Sequence, residues 1–338
     1  MHYISKESRQ FKANLHSHST LSDGCLSPEE LVEAYRGRGY DILAITDHEY
    51  PCDHTALSTG DFLLLTGYEA YLRPSETNCF DSLGPEIHMN LLAKEPHNLS
   101  FVCYDANFCK YMPPELARKL PHAGPEGAHR YEKAFINMFI AEAKKAGYLV
   151  TYNHPCWSME NPADILDYEG YFSLEIYNTG SQKINHCENN VPLFDSLLRR
   201  GKFPFVHGAD DNHNLVPFDD PLSDSFGAWT MICAGDLSYP AVIRALEEGN
   251  FYASTGPSIY ALEIEGSRAR IQCSEAQLIM MQMSPKAAKK VYNKDRSPVT
   301  EAEFEIPAFA PYVYFAVIAG DGTEARTHAF PNPLYKKT

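Results

Sequence analysis

The stretch DILAITDHE (41–49) places the apolar residues Ile42 to Ile45 directly before Thr46, Asp47, His48 and Glu49. A short apolar run of this kind reads as a strand buried on both faces, with its polar residues at the C-terminal end. The pattern recurs. FLLLTGYEA (62–70) runs to Glu69, GYLVTYN (147–153) runs into His154-Pro155, and FPFVHGA (203–209) runs into Asp210-Asp211-Asn212-His213. FSLEIYN (172–178) closes on Asn178, and IHMNLLA (87–93) carries His88 at its start. Upstream, FKANL (11–15) reads as a short strand leading into HSHSTLSDG, which holds His16, His18 and Asp23. Side chains alternate along a strand, so His16 and His18 leave it on one side.

Helical patterns lie between these strands. SPEELVEAYRGRG (27–39) has Ser27 as N-cap, Pro28 at the first helical position, Glu30 as capping-box partner and Gly39 as stop. RYEKAFINMFIAEAKKAG (130–147) and VPLFDSLLRRG (191–201) end in basic residues and glycine, as helix C-termini favour. Strands alternating with helices predict an α/β protein with a parallel sheet, open or closed into a barrel. Residues 94–129 break the rhythm with prolines, histidines and aromatics, and read as an insertion placed as a lid or rim. From 257 to 338 short alternating strands replace the α/β pattern, so the expected division is a barrel over 1–256 and a small antiparallel β unit over 257–338.

The 338 residues, 44% hydrophobic, suffice for a large domain and a smaller one. No signal peptide or membrane span is visible in the sequence, and the nine cysteines are scattered without a CxxC pair, which fits a reducing cytoplasm. The net charge of −15 opposes broad contact with nucleic acid or anionic membranes, but not a small anionic substrate. Oligomeric state is not legible.

A histidine after a strand is most often a satisfied structural group. What outweighs that here is repetition, since most of the apolar strands deliver His, Asp or Glu to the end where α/β proteins form their sites. Imidazoles with carboxylates suit zinc, manganese or iron, and nine candidates are enough for two or three ions. Glu69 is placed centrally for a bridging carboxylate. Closely spaced divalent ions can activate water, neutralise a phosphate and stabilise a leaving oxygen.

The motifs HSHSTLSDG, ITDHE, GYEA, IHMN, NHP and DDNH, in this order, resemble the PHP (polymerase and histidinol phosphatase) domain metallohydrolases over residues 11–256. ALEEGNFYASTGPSI (245–259) followed by β structure resembles the CehA/McbA-like subgroup. The resemblance implies a distorted (β/α)7 TIM-like barrel and a trinuclear metal site. It would place His16, His18, Glu69 and Asp211 on a first ion, Glu69, His88 and His154 on a second, and Asp23, His48 and His213 on a third. Asp211 is preferred to Asp210 because D-x-H spacing sets it on one face with His213. The implied activity is hydrolysis of a small phosphate ester, with Glu69, Asp211 and His213 as catalytic residues and His213 or a nearby acid assisting the leaving group. A nuclease acting on short oligonucleotides, a carboxylic ester or amide hydrolase, and a non-catalytic metal-binding module are the alternatives.

Asn178 and Arg130 are candidate substrate contacts, against the plainer readings of a helix cap and a solvated surface arginine. Trp157 reads as cavity wall or core. His54, His97, His122, His129, His186 and His207 show no partner in the sequence, and Met280, Met281 and Met283 read as packing.

Overall fold

The computed structural model describes residues 2–74, 84–187 and 190–331. The elements, in chain order, are β1 (Arg9–Asn14), α1 (Pro28–Gly37), β2 (Ile42–Ile45), β3 (Leu63–Leu72) and β4 (Ile87–Ala93). There follow α2 (Lys133–Lys145), β5 (Tyr148–Tyr152), β6 (Ser173–Asn178), α3 (Thr179–Asn185), α4 (Val191–Arg199) and β7 (Phe205–Ala209). Then come β8 (Trp229–Ala234), α5 (Tyr239–Glu248) and β9 (Phe251–Ser254).

The local chemistry explains the helix ends. Ser27 caps α1 and Glu30 closes the capping box, so two backbone donors at the helix start are satisfied reciprocally. Leu31 and Tyr35, four residues apart, are its fully buried face. Helix α2 begins at Lys133, so Arg130 lies outside it, against the expected start.

One long sheet runs β7-β6-β5-β4-β3-β2-β1-β8-β9 and continues into the C-terminal strands. Strands β1, β2 and β3 are mutually parallel, as are β5, β6 and β7. Strand β4 runs antiparallel to both its neighbours, a departure from the all-parallel expectation. The reversal brings its N-terminal end to the rim where the other strands finish, and that is how His88, at a strand start, joins residues at strand ends.

No continuous ladder joins β7 to β1 among the described residues. The two meet at the rim just beyond their ends, through a single bridge of Ser17 and Asn212. There Asp211 N donates to His16 O at 3.0 Å and His18 N to Asn212 O at 3.0 Å. Within the strands, Gly208 of β7 donates to Thr230 Oγ1 of β8 at 3.2 Å and accepts from it at 2.9 Å, but no ladder closes the expected barrel among the described residues.

Residues 94–129 form a short parallel pairing of Phe101–Val102 with His122–Ala123 and a helical turn at Pro114–Ala117. The C-terminal strands are β10 (Ile259–Glu265), β11 (Arg268–Ala276), β12 (Leu278–Ser284), β13 (Ala287–Val291), β14 (Val299–Glu305), β15 (Tyr312–Ile318) and β16 (Glu324–Arg326). Their antiparallel pairing matches the sequence reading. Gly256 is not a break in the sheet, because β16 pairs with β9 and carries the ladder onward to β15, β12 and β13. Residues 332–338 of the expected unit lie outside the described residues. Met281 and Met283 are buried between the C-terminal strands, as packing residues should be.

Candidate metal centre

All nine candidate ligands gather at one rim of the sheet. Beyond β1, His16 and His18 point inward and are fully buried. Beyond β2, the backbone of His48 bridges that of Glu69 in β3, which sets the two side chains next to each other. Three groups of donor atoms converge: His16, His18, Glu69 and Asp211; His48, Glu69 and His88; and His18, Asp23, His48 and His213. Glu69 is at the centre. Its Oε1 is 3.1 Å from His16 Nε2 and 3.3 Å from His88 Nδ1, and its Oε2 is 3.1 Å from His48 Nδ1 and 3.3 Å from His18 Nε2.

The first group is the one the resemblance implied. The second differs, because His48 takes the place beside Glu69 and His88 that was expected for His154. His154 Nε2 stands slightly farther off, 3.5 Å from Glu69 Oε1 and 3.7 Å from Asp211 Oδ2. In the third group Asp23 is 3.6 Å from His48, 3.5 Å from His213 and 3.6 Å from His18. A neutral imidazole has one lone-pair nitrogen, so His18 and His48, each shared by two groups, can serve one ion apiece.

The donor set fits divalent ions. Glu175 Oε1 lies 3.1 Å from His16 Nδ1, and a carboxylate accepts only, so the His16 proton sits on Nδ1 and its Nε2 lone pair faces the group. That Nε2 is 3.2 Å from His18 Nε2, with Asp211 Oδ1 3.0 Å and 3.1 Å from the two. Lone pairs and carboxylate oxygens at such spacing repel unless protons or a cation sit among them. In the second group, His48 Nδ1, Glu69 Oε2 and His88 Nδ1 are buried and form no hydrogen bond, which is costly unless a cation satisfies them.

Electrostatics reports the same concentration of charge. Burial opposes protonation of His16, but Asp211, Glu69 and Glu175 outweigh it and hold its pKa well above the ordinary value. His18 and His88 follow, each pushed up to about 10 against burial, the first by Asp211 and Glu69 and the second by Glu69 and Glu86. Glu69 and Asp211 are held well below the carboxylate range, because the imidazoles outweigh their burial. Ligation requires unprotonated imidazoles, so ions entering this site displace protons.

Backbone conformation separates Asp211 from Asp210. Asp210 is buried and accepts from Tyr35 Oη, Thr179 Oγ1 and the backbone N–H groups of Phe226, Gly227 and Ala228. It is a structural acceptor. Asp211, at φ +52°, faces the histidines, and His154 is also in the positive region at φ +23°. Strain of this kind persists where the surroundings enforce it, and here it falls on two candidate ligands.

Beyond the ligands, a cavity of about 550 Å³ opens over the site, lined by Asp23, His48, Glu69, His88, His154, Asp211 and His213 among others. Arg130 does not line it. Its guanidinium donates to His129 O and is otherwise exposed. Asn178 is buried, caps α3 through Ser181 N, and donates to Glu175 Oε2 at 2.7 Å and Asp211 Oδ2 at 3.2 Å. It therefore tethers the site rather than facing the cavity. Trp157 does line the cavity, as do Lys110 and Tyr111 from the 94–129 insertion.

Sequence reasoning missed Glu175. This one carboxylate holds His16, accepts from His154 N at 2.8 Å and bonds Asn178. Its signal was there, since a lone acid inside the apolar run FSLEIYN is rarely buried without partners. Asn153, which donates to Glu69 Oε1 at 2.6 Å, was also missed.

Residues 14–149 match the PHP domain. His154, Asp211 and His213 fall beyond the matched residues. The chain is 30% identical over 156 residues to the 5'-3' exoribonuclease of Haemophilus influenzae, covering 41% of this chain and 50% of that protein. It is 54% identical over 39 residues to the DNA polymerase/3'-5' exonuclease PolX of Bacillus subtilis, covering 12% of this chain and 7% of that one. The matched segments thus span half or less of these relatives. Among solved structures, a two-domain protein from Bacteroides vulgatus containing a predicted PHP-like metal-dependent phosphoesterase aligns over 96% of both chains, with 14% identity and a TM-score of 0.43. An amidohydrolase from Chromobacterium violaceum aligns over 60% of this chain and 87% of its own, with 18% identity and a TM-score of 0.39.

Proposed function

We propose that this protein is a metal-dependent phosphoesterase of the CehA/McbA-like PHP type, acting on a small phosphate ester with two or three Zn, Mn or Fe ions. The observation that supports it most is the convergence of eight imidazole and carboxylate side chains on three overlapping groups, with His154 just beside them and three of their buried atoms lacking hydrogen bonds. His16, His18, Glu69 and Asp211 would hold one ion, Glu69 and His88 with His154 or His48 a second, and Asp23, His213 and His48 or His18 a third. When bound, such ions supply a Lewis acid for phosphoryl oxygens and lower the pKa of a water.

The chain's own residues do the rest. Glu69 and Asp211 keep the imidazole-lined floor near charge balance. Glu175 and Asn178 hold His16 and Asp211 in place behind it. Trp157 and Tyr111 wall the cavity and exclude water from one side of a bound ester. His213 Nε2 is turned toward Asp23 and its Nδ1 toward Asp211 O at 3.1 Å, so His213 fits a ligand better than a proton donor. The Tyr111 hydroxyl, 3.4 Å from Asp23 Oδ2, is a protic group on the wall that can hydrogen-bond a leaving oxygen.

The exoribonuclease likeness favours a second reading, hydrolysis of a phosphodiester in a short oligonucleotide. Against it stands the net charge of −15, which weakens contact with a polyanion. The test is a panel on metal-loaded protein: an aryl phosphate, a bis-aryl phosphate, a short oligonucleotide and an aryl acetate. The proposal expects turnover of the monoester first. Turnover of the oligonucleotide alone would establish the second reading, and turnover of the acetate alone would make the chain a carboxylic ester hydrolase.

A further inference from the structure

We infer that the cavity takes a phosphate ester whose leaving group is apolar and ends in a second negative charge, an inference that rests on the phosphoesterase reading above. A volume of about 550 Å³ is typical of a site for a whole organic ligand and far exceeds what one phosphoryl group fills. The ligands form the floor, so the leaving group must occupy the walls and mouth.

Those walls carry two kinds of side chain. Trp157, Ile184 and Leu215 are apolar members of the lining, and Ile184 and Leu215 are 69% and 72% exposed, a poor placement for aliphatic side chains unless something covers them. The lining is also cationic. Arg73 past the end of β3, Lys110 in the insertion and Lys183 in α3 come from three separate segments to the same cavity. Acidic residues outnumber basic ones 44 to 29, yet none of these three is in an ion pair among the described residues.

The acids that share the cavity with them are already engaged. Glu86 lies 3.4 Å from His88 Nε2, and Asp224 accepts from the N–H groups of His213 and Asn214. Lys183 Nζ is steadied by Pro221 O at 3.0 Å and keeps donors to spare. The scissile phosphate is provided for by the floor, so these lining cations match a different anionic group on the same molecule.

The test compares phenyl phosphate with 4-carboxyphenyl phosphate on the metal-loaded full chain, beside the Lys110→Gln/Lys183→Gln double variant. The carboxylated ester should show kcat/KM about ten-fold higher, as one charge-assisted contact allows, and the ratio should fall to near one in the double variant. A wild-type ratio of one, or a ratio unchanged in the variant, overturns the inference. A second arm needs no turnover: calorimetric binding of 4-hydroxybenzoate against phenol. Tighter binding of the benzoate, lost in the double variant, supports the inference even if no phosphate ester is hydrolysed, an outcome that would sink the phosphoesterase reading alone. Equal binding of the two, or benzoate binding that survives in the variant, overturns it.

Discussion

Glu69 is fully buried with five imidazoles within 3.5 Å of its two oxygens: His16, His18, His48, His88 and His154. Removing its charge should therefore disturb more than one group, whereas His213 belongs to one group only. Glu69→Gln is expected to lose more than one metal equivalent and roughly 100-fold or more in turnover, and His213→Asn at most one equivalent. Elemental analysis and hydrolysis rates of the two variants check this, and equal metal retention by both would refute the bridging role. Glu175 acts one step back. Glu175→Gln leaves the ligand count intact but weakens the acceptor for His16 Nδ1, so metal affinity should fall by about 10- to 100-fold. Competition with a chelator reads that affinity directly, and an unchanged value would leave Glu175 a purely structural group. The candidate ligands were legible because each lies at or near an end of one of six apolar strands, with His16, His18 and Asp23 after β1 and Asp211 and His213 after β7. For Glu175 the sequence signalled a partnered acid but not its partners, because His16, His154 and Asn178 come together with it only when three strand ends are folded side by side. The choice of His48 or His154 beside Glu69 was equally invisible, since it depends on the bridge between two neighbouring strand ends.

At the scale of elements, the apolar runs located β1 to β7 to within a residue or two at most ends, because buried strands leave an uninterrupted hydrophobic signature, whereas β8 and β9 were not read as strands. Direction was not encoded in that signature, and β4 proved antiparallel. Nor was the junction with the C-terminal strands visible. His328, just past β16, packs against Phe205 of β7 at 4.6 Å and against Phe330 at 4.7 Å between ring centroids. Burial there depresses its pKa from 6.5 to about 3. It is neutral in the fold, so the unfolded chain binds the extra proton. The associated stability is present above pH 6.5 and is lost progressively as pH falls from 6.5 toward 3. Near pH 5 the loss is about 2 kcal/mol. His328→Phe should flatten that part of the acid limb, as followed by denaturant titration at several pH values. An unchanged pH slope in the variant would mean that this histidine is not buried neutral.

At the scale of the molecule, the sequence suggested two units, and the sheet joins them. Strand β16 extends the ladder from β9, and Tyr312 Oη donates to Asp195 Oδ1 at 2.7 Å, next to α4 residues of the main core. Arg326, 8% exposed, donates to Tyr177 Oη at 3.0 Å and to Glu324 Oε2 at 2.8 Å. Tyr177 precedes Asn178, so the tail braces the strand that carries Glu175. Arg326→Met leaves Glu324 without its partner and should cost about 3 kcal/mol in stability. Metal content should be unchanged, because every candidate ligand lies at or before His213. Thermal unfolding and elemental analysis separate the two effects, and loss of metal without loss of stability would mean that the tail shapes the site directly. None of the described helices is long and apolar enough to cross a membrane.

The account turns on the rim holding several ions at once, and the most direct measurement is the number of metal equivalents per chain after reloading with Zn, Mn or Fe and removal of excess. Three overlapping donor groups predict two to three equivalents, falling by more than one in Glu69→Gln. Fewer than one equivalent in the folded wild-type chain would contradict it.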